Sequence, residues 1–445
     1  IREMAMYEYK GVKKSMAMYE EAGKVIPGYT QLRSRLASGF AEGVSPVYAD
    51  RAKGSRFVDV DGNEYIDWVN AVSAIILGHH DDVVDDAVKE QIDRGSIFTV
   101  NSPKEIELAN LLIETIPSAE MVKFSKGGGD ACATAARIAR GATGKEIILF
   151  SGYHGWHDWY QSANYLDFPD LVTGSGIKGV PKALAGTAIP FGEGDIDRLE
   201  KLFSDHKGEV AAVMMEPIRS NNPPPGYLEA VKQMCHDNDA VLIFDEVSCG
   251  WRIAIGGAQE YYGITPDMTV VAKCISNGYP MGAVVGKREI MQEAEDMFIS
   301  SSYWSDNIGL TSSITTIREL KRRDSPTRFR EIGENIRAAV KEAIADVGIS
   351  ADVVGLSKAP ALVIDLPDES LRPKVMTLFI QEMAKRGIHT GGGFMATLAH
   401  TDEDIKITAD AAREALTVVR DGLEGGLDEL LEAKEKREAI RRIVR

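Results

Sequence analysis

The sequence predicts an α/β protein, with a mostly parallel β-sheet covered by helices on both faces and a smaller α+β domain. Three observations carry this expectation. Between about Ala71 and Ser300, short and nearly continuous apolar runs alternate with helical stretches, the pattern of strands buried on both faces. After Thr311 the order changes to a long helical region followed by a strand and two helices. The chain has 445 residues, more than one typical domain holds.

Taken in order, residues 1–23 are charged and rich in Met and read as a helix or an N-terminal arm, broken by Pro27-Gly28. Residues 57–67 alternate in polarity about Asp61-Gly62, a strong hairpin signal. The later apolar runs are residues 121–124, 147–150, 210–215, 241–244 and 268–272. Residues 130–140 and 228–236 give the clearest helices between them. Residues 311–347 read as a long helical region, 361–366 as a strand, and 374–386 and 402–423 as helices. The charged end, 427–445, reads as an amphipathic helix.

Composition excludes several classes of function. With 44% hydrophobic and 27% charged residues, the chain has the balance of a soluble globular protein. Its net charge of -16 repels phosphate backbones and anionic lipid, so neither nucleic acid nor a membrane is an expected partner. Cys132, Cys235, Cys249 and Cys274 form no C-x-x-C pair and no cluster with metal-ligand spacing, so no metal is expected and a reducing compartment is. Residues 1–14 do not resemble a signal peptide, and no apolar run is long enough to span a bilayer. The protein is expected to be cytoplasmic.

Ligands of open α/β sheets bind beyond the carboxyl ends of the strands, so the residues just after each apolar run matter most. In order these are Gly127-Gly128-Gly129, Tyr153-His154-Gly155, Glu216-Pro217, Asp245-Glu246 and Lys273. Three glycines before a helix let backbone N–H groups approach an anion, and the helix dipole favours its charge; most such loops are only turns. Asp245 is expected to be buried and so needs a partner. That partner is either an internal cap or cation, or the protonated nitrogen of a pyridine ring. Lys273 either snorkels to water or is a desolvated amine that attacks carbonyls. Tyr153 is either core or a platform for a flat ring. The five groups in succession are harder to explain as packing than any one alone.

These residues resemble the class III aminotransferases of pyridoxal-phosphate (PLP) fold type I. The resemblance rests on residues 59–67, Leu77-Gly78-His79, Tyr153-His154-Gly155, Glu216-Pro217, Phe244 to Val247, Lys273 and Met281-Gly282-Ala283, in that order. Gly179 to Lys182 and His400 to Asp404 are similar to the glutamate-1-semialdehyde 2,1-aminomutase branch. The resemblance implies a large domain with a seven-stranded, mostly parallel sheet over residues 71–310. Residues 1–70 would form an arm and part of the small domain, and residues 311–445 the rest of it. It also implies that Lys273 holds PLP as a Schiff base and moves the substrate proton, and that Asp245 keeps the pyridine nitrogen protonated. Tyr153 and Val247 would flank the ring, Gly127, Gly128 and Gly129 would take the phosphate, and Glu216 and Asn221 would complete the cofactor site. A homodimer with shared active sites is implied, with Ser302 standing where the family has a cross-subunit phosphate ligand. Arg35 falls where the aminomutase binds a substrate carboxylate; a surface role fits it equally.

The chain also departs from the family. The phosphate loop usually reads Asn-Ser-Gly-Thr-Glu-Ala and here reads Lys126-Gly-Gly-Gly-Asp-Ala131, which removes two hydroxyl donors. The aminomutase's Glu-Ala-Gly-Phe run is here Gly391-Gly-Gly-Phe394, which points to a pocket opened for a larger substrate. Trp156, His157, Trp159 and Tyr160 either line a substrate mouth or pack the core. The expected function is transfer of an amino group from an amino acid, L-glutamate first among candidates, to a ketone or aldehyde such as a keto-sugar or biosynthetic intermediate. Aminomutase-like transfer within one substrate is the alternative. A non-enzymic cofactor-binding scaffold is a third reading, disfavoured because Lys273 is retained.

Overall fold

The computed structural model describes residues 7–166 and 177–437. By backbone contacts these form two compact units, one of Asp82–Pro326 and the other of the described residues up to Asp81 and from Thr327 onward. Strands in chain order are β1 (Ala49–Lys53), β2 (Arg56–Asp59), β3 (Glu64–Asp67), β4 (Met121–Ser125), β5 (Ile147–Ser151), β6 (Ala188–Pro190), β7 (Val210–Met215), β8 (Val241–Asp245), β9 (Met268–Val271), β10 (Gly282–Gly286), β11 (Ala351–Val354), β12 (Ala361–Ile364) and β13 (Ile388–His389).

The unit Asp82–Pro326 holds a seven-stranded sheet in the order β4-β10-β9-β8-β7-β5-β6. Strands β6, β5, β7, β8 and β9 run parallel, and β10 is antiparallel to both β9 and β4. The predicted fold class is thus borne out. Strands β5, β7, β8 and β9 are buried along their whole length, which is why they read as continuous apolar runs. Successive side chains serve opposite faces. Ile148 and Phe150 pack with Ala135 and Ile138 of the helix Gly128–Thr143, whereas Leu149 packs on the other face with Leu202 and Leu228. Strands β6 and β10 were not expected. The first is three residues long and ends in Pro190, and the second is bounded by Gly282 and Gly286, so neither gives an apolar run.

In the other unit β1, β2 and β3 are antiparallel and β13 lies parallel to β3; β11 and β12 form a separate hairpin. The expected turn at Asp61-Gly62 is present. Gly62 has φ +87°, and Asp59 Oδ1 accepts from the N–H groups of Asp61 and Asn63 at 3.0 and 2.7 Å. The long helical region 311–347 is present as two helices, Asn307–Arg322 and Ser325–Val347, separated where Asp324 takes φ +45°. One expectation needs correction: among the described residues the charged tail is helical only over Leu427–Leu430. Residues 431–437 are not helical, and Lys434 donates its backbone N–H to Glu42 O at 3.1 Å. Residues 438–445 of that expected helix lie outside the described residues.

His400 makes a measurable contribution to this unit. It stacks on Trp68 at 4.0 Å between ring centroids and its Nδ1 accepts from Thr397 N–H at 3.0 Å. Burial holds its pKa down to about 4, so the folded state keeps it neutral while an unfolded chain protonates it near 6.5. Its contribution is therefore complete above pH 6.5 and is lost as pH falls toward 4, by about 3 kcal/mol in all. Denaturation midpoints measured over that range should fall with acidity, and His400→Gln should flatten the slope. An unchanged slope would contradict the assignment.

Candidate active site

The residues singled out at the strand ends converge at the carboxyl edge of the seven-stranded sheet. Lys273 follows β9 and starts a short 3-10 turn, Lys273–Ser276. Its φ of +46° places a non-glycine residue in the left-handed region, which costs about 1–3 kcal/mol and is typical of functional positions. The side chain is half-buried and Nζ donates to Ser248 Oγ at 2.9 Å.

Asp245 ends β8 and is 4% exposed. Oδ2 lies 2.7 Å from His154 Nδ1 and 3.4 Å from Cys132 Sγ, and Oδ1 accepts the Val247 N–H at 3.0 Å. A carboxylate has about four acceptor sites, so these three contacts leave room for one more donor. Burial, then the neighbouring Asp245, pushes the Cys132 thiol well above the usual range. Cys132, His154 and Asp245, all buried, bring their donor atoms within 4.8 Å of one another. Among the described residues no other group of three has that proximity.

Tyr153 follows β5 in a loop and is 46% exposed. Its backbone N–H donates to Glu216 Oε1 at 2.8 Å, so Glu216, at the end of β7, fixes the tyrosine through its backbone. Burial and the nearby Cys132 and Asp245 raise the Tyr153 pKa, which places the phenol in the same neighbourhood. Gly127 caps the helix Gly128–Thr143 with no side-chain hydrogen bond. A Cβ on Gly128 would stand 3.0 Å from Val247 Cγ1, and one on Gly155 would stand 2.7 Å from Gly129 Cα. The glycines are required because backbone meets backbone and Val247 here. Lys126 Nζ pairs with Asp306, which caps the helix Asn307–Arg322.

The remaining predicted site residues are not joined to this cluster. Asn221 and Ser302 are exposed in loops. Arg35 belongs to the other unit, where it lines a cavity of about 460 Å³ with Tyr19, Phe40, Tyr48, His79 and His389. A Cβ on Gly391 would stand 3.8 Å from Phe40 Cε1, an ordinary contact, so nothing steric forbids a side chain there. Sequence reasoning quoted His154 without giving it a role and passed over Ser248 and Cys132. Their partners Asp245 and Lys273 arrive from distant segments, and no local spacing announces such pairs.

These features suit PLP: a glycine loop at a helix N-terminus, a buried carboxylate with a spare acceptor site, an exposed aromatic face and an amine at one strand edge. The class-III aminotransferase family model matches residues 39–416. The chain belongs to the class III aminotransferases. As a member of that family it is a PLP-dependent enzyme. Over 428 residues it is 35% identical to the 3-aminobutyryl-CoA aminotransferase of Cloacimonas acidaminovorans (strain Evry), covering 93% of this chain and 99% of that one. Over 434 residues it is 33% identical to the glutamate-1-semialdehyde 2,1-aminomutase of Desulforamulus reducens, with 91% and 97% covered. An omega-transaminase structure from Sphaerobacter thermophilus matches with TM-score 0.80 at 27% identity, over 91% of this chain and 98% of that one. No helix among the described residues of this aminotransferase is long and apolar enough to cross a membrane.

Proposed function

We propose that this aminotransferase takes an amino group from an amino acid, L-glutamate first, and delivers it to a ketone or aldehyde such as a keto-sugar or a biosynthetic intermediate. The observation that carries the choice is the run Gly391-Gly392-Gly393. Gly391 lies beside Phe40, which lines the same cavity as Arg35, and the aminomutase pattern has a glutamate in this run. Arg35 would hold a substrate carboxylate by a bidentate pair.

Bound, PLP supplies an aldehyde that carries the amino group and a ring that draws electrons from the substrate carbon. The protein's own groups do the rest. Lys273 Nζ would hold the cofactor and, as a free amine, would move the proton at the substrate carbon as general base and acid. Ser248 Oγ orients that amine. Asp245 would hold the ring nitrogen protonated, with His154 and the Val247 N–H fixing its carboxylate. Tyr153 and Val247 would flank the ring, and Asn221 would complete the cofactor site. The Gly127–Gly129 loop offers N–H groups at a helix N-terminus to the phosphate. Ser302 serves the partner's phosphate site in a homodimer with shared active sites, and the enzyme works in the cytoplasm.

Aminomutase-like transfer within one molecule is the second reading, favoured by the 33% identity to an aminomutase. The two separate on addition of L-glutamate to the PLP-loaded protein. Loss of the visible cofactor band with stoichiometric 2-oxoglutarate supports transfer between molecules. An unchanged band, with conversion of glutamate-1-semialdehyde, supports the second reading and overturns the first.

A further inference from the structure

The phosphate loop of this chain has lost its hydroxyls but has a basic side chain laid against it. His157 Nε2 lies 3.2 Å from Asp130 Oδ1, and Asp130 stands in the first turn of the helix Gly128–Thr143. Its other nitrogen, Nδ1, is buried with no hydrogen-bond partner. A Cβ on Gly129 would stand 3.3 Å from that Nδ1, so the unpaired atom lies beside the second residue of the helix. Trp156 stacks on the imidazole at 4.6 Å between centroids, which limits its rotation. A buried polar nitrogen without a partner is costly, and a ligand oxygen at this point would satisfy it.

Charge points the same way. A Cβ on Gly127 would stand 3.3 Å from Asp130 Oδ2, so a carboxylate sits at the mouth of the anion-binding loop. Alone it would repel a phosphate. Among the described residues, Asp130 is the charged side chain paired with His157. Nε2 of the imidazole faces that carboxylate, and Nδ1 is the ring atom left for a ligand oxygen.

We propose that His157, held by Asp130, donates Nδ1–H to the phosphate of the cofactor and so takes the place of the missing hydroxyl donors. The proposal rests on the reading that the phosphate lies at Gly127–Gly129. Protein stripped of cofactor is titrated with PLP and, separately, with pyridoxal, which lacks the phosphate. His157→Phe keeps the flat ring against Trp156 and removes both donors. It should weaken PLP about 10- to 100-fold, the worth of one hydrogen bond to a charged group, and leave pyridoxal unchanged. Asp130→Asn in the His157→Phe background should restore part of the loss, because the uncompensated carboxylate is gone. At one fixed pH the ³¹P resonance of bound PLP should differ between the native protein and His157→Phe. Equal weakening of PLP and pyridoxal, or unchanged PLP binding with an unaltered ³¹P resonance, would overturn the role of His157. Native protein that binds PLP no tighter than pyridoxal would instead overturn the placement of the phosphate.

Discussion

Replacing Lys273 with Ala is expected to abolish amino transfer, by about 10⁴-fold or more, while the protein still folds and still binds PLP. The size reflects the two tasks of the residue. Positioned proton transfer alone contributes about 10²–10⁴-fold, and loss of the nucleophilic amine adds to that. The fold should tolerate the change. Lys273 is half-buried and its one side-chain hydrogen bond is to Ser248, so truncation leaves no buried charge behind. Alanine must still adopt φ +46°, a strain the native lysine already carries. Kinetics, melting temperature and cofactor content, measured together, check the claim. Turnover near the native rate would refute it.

Asp245→Asn is expected to lower kcat about 10- to 1000-fold with a small effect on melting temperature. An adjacent carboxylate raises the pKa of a cationic partner by about 1–3 units, and each unit is a factor of ten in the protonated fraction of the ring nitrogen. Asparagine keeps an oxygen to accept the Val247 N–H and fills the same volume. It loses the charge that faces His154 and the pyridine. If Asp245 served only to cap the Val247 N–H and bond His154, stability and PLP binding would fall and kcat of the loaded enzyme would not. The kcat of fully loaded protein therefore separates the two roles.

Much of this site is legible in the sequence because its best groups sit at the ends of strands buried on both faces. Asp245 and Lys273 stand out because polar residues there interrupt apolar runs. The rest is concealed for two physical reasons. One is pairing across distance. His154 and Asp245 are 91 residues apart and Lys273 and Ser248 are 25 apart, and the sheet order that joins them is not written in either segment. The other is backbone that defies its residue types. Asn70, Ala71, Val72 and Ser73 all take positive φ, from +49° to +66°, without a glycine among them. Asp67 Oδ1 holds that turn by accepting the Val69 and Asn70 N–H groups at 2.9 and 3.0 Å, and Asn70 Nδ2 donates to Met395 O at 2.6 Å. No local propensity announces such a turn. The tail misled for the opposite reason: its charges have helical spacing, yet the chain past Leu430 pairs with the segment around Glu42.

The central claim is that Lys273 carries the cofactor. The direct test is borohydride reduction of the PLP-loaded protein, then digestion and mass spectrometry to locate the fixed label. The account predicts one phosphopyridoxyl group per chain, on the peptide that contains Lys273. A label on another lysine, such as Lys126 beside the glycine loop, or no label at all, would contradict it.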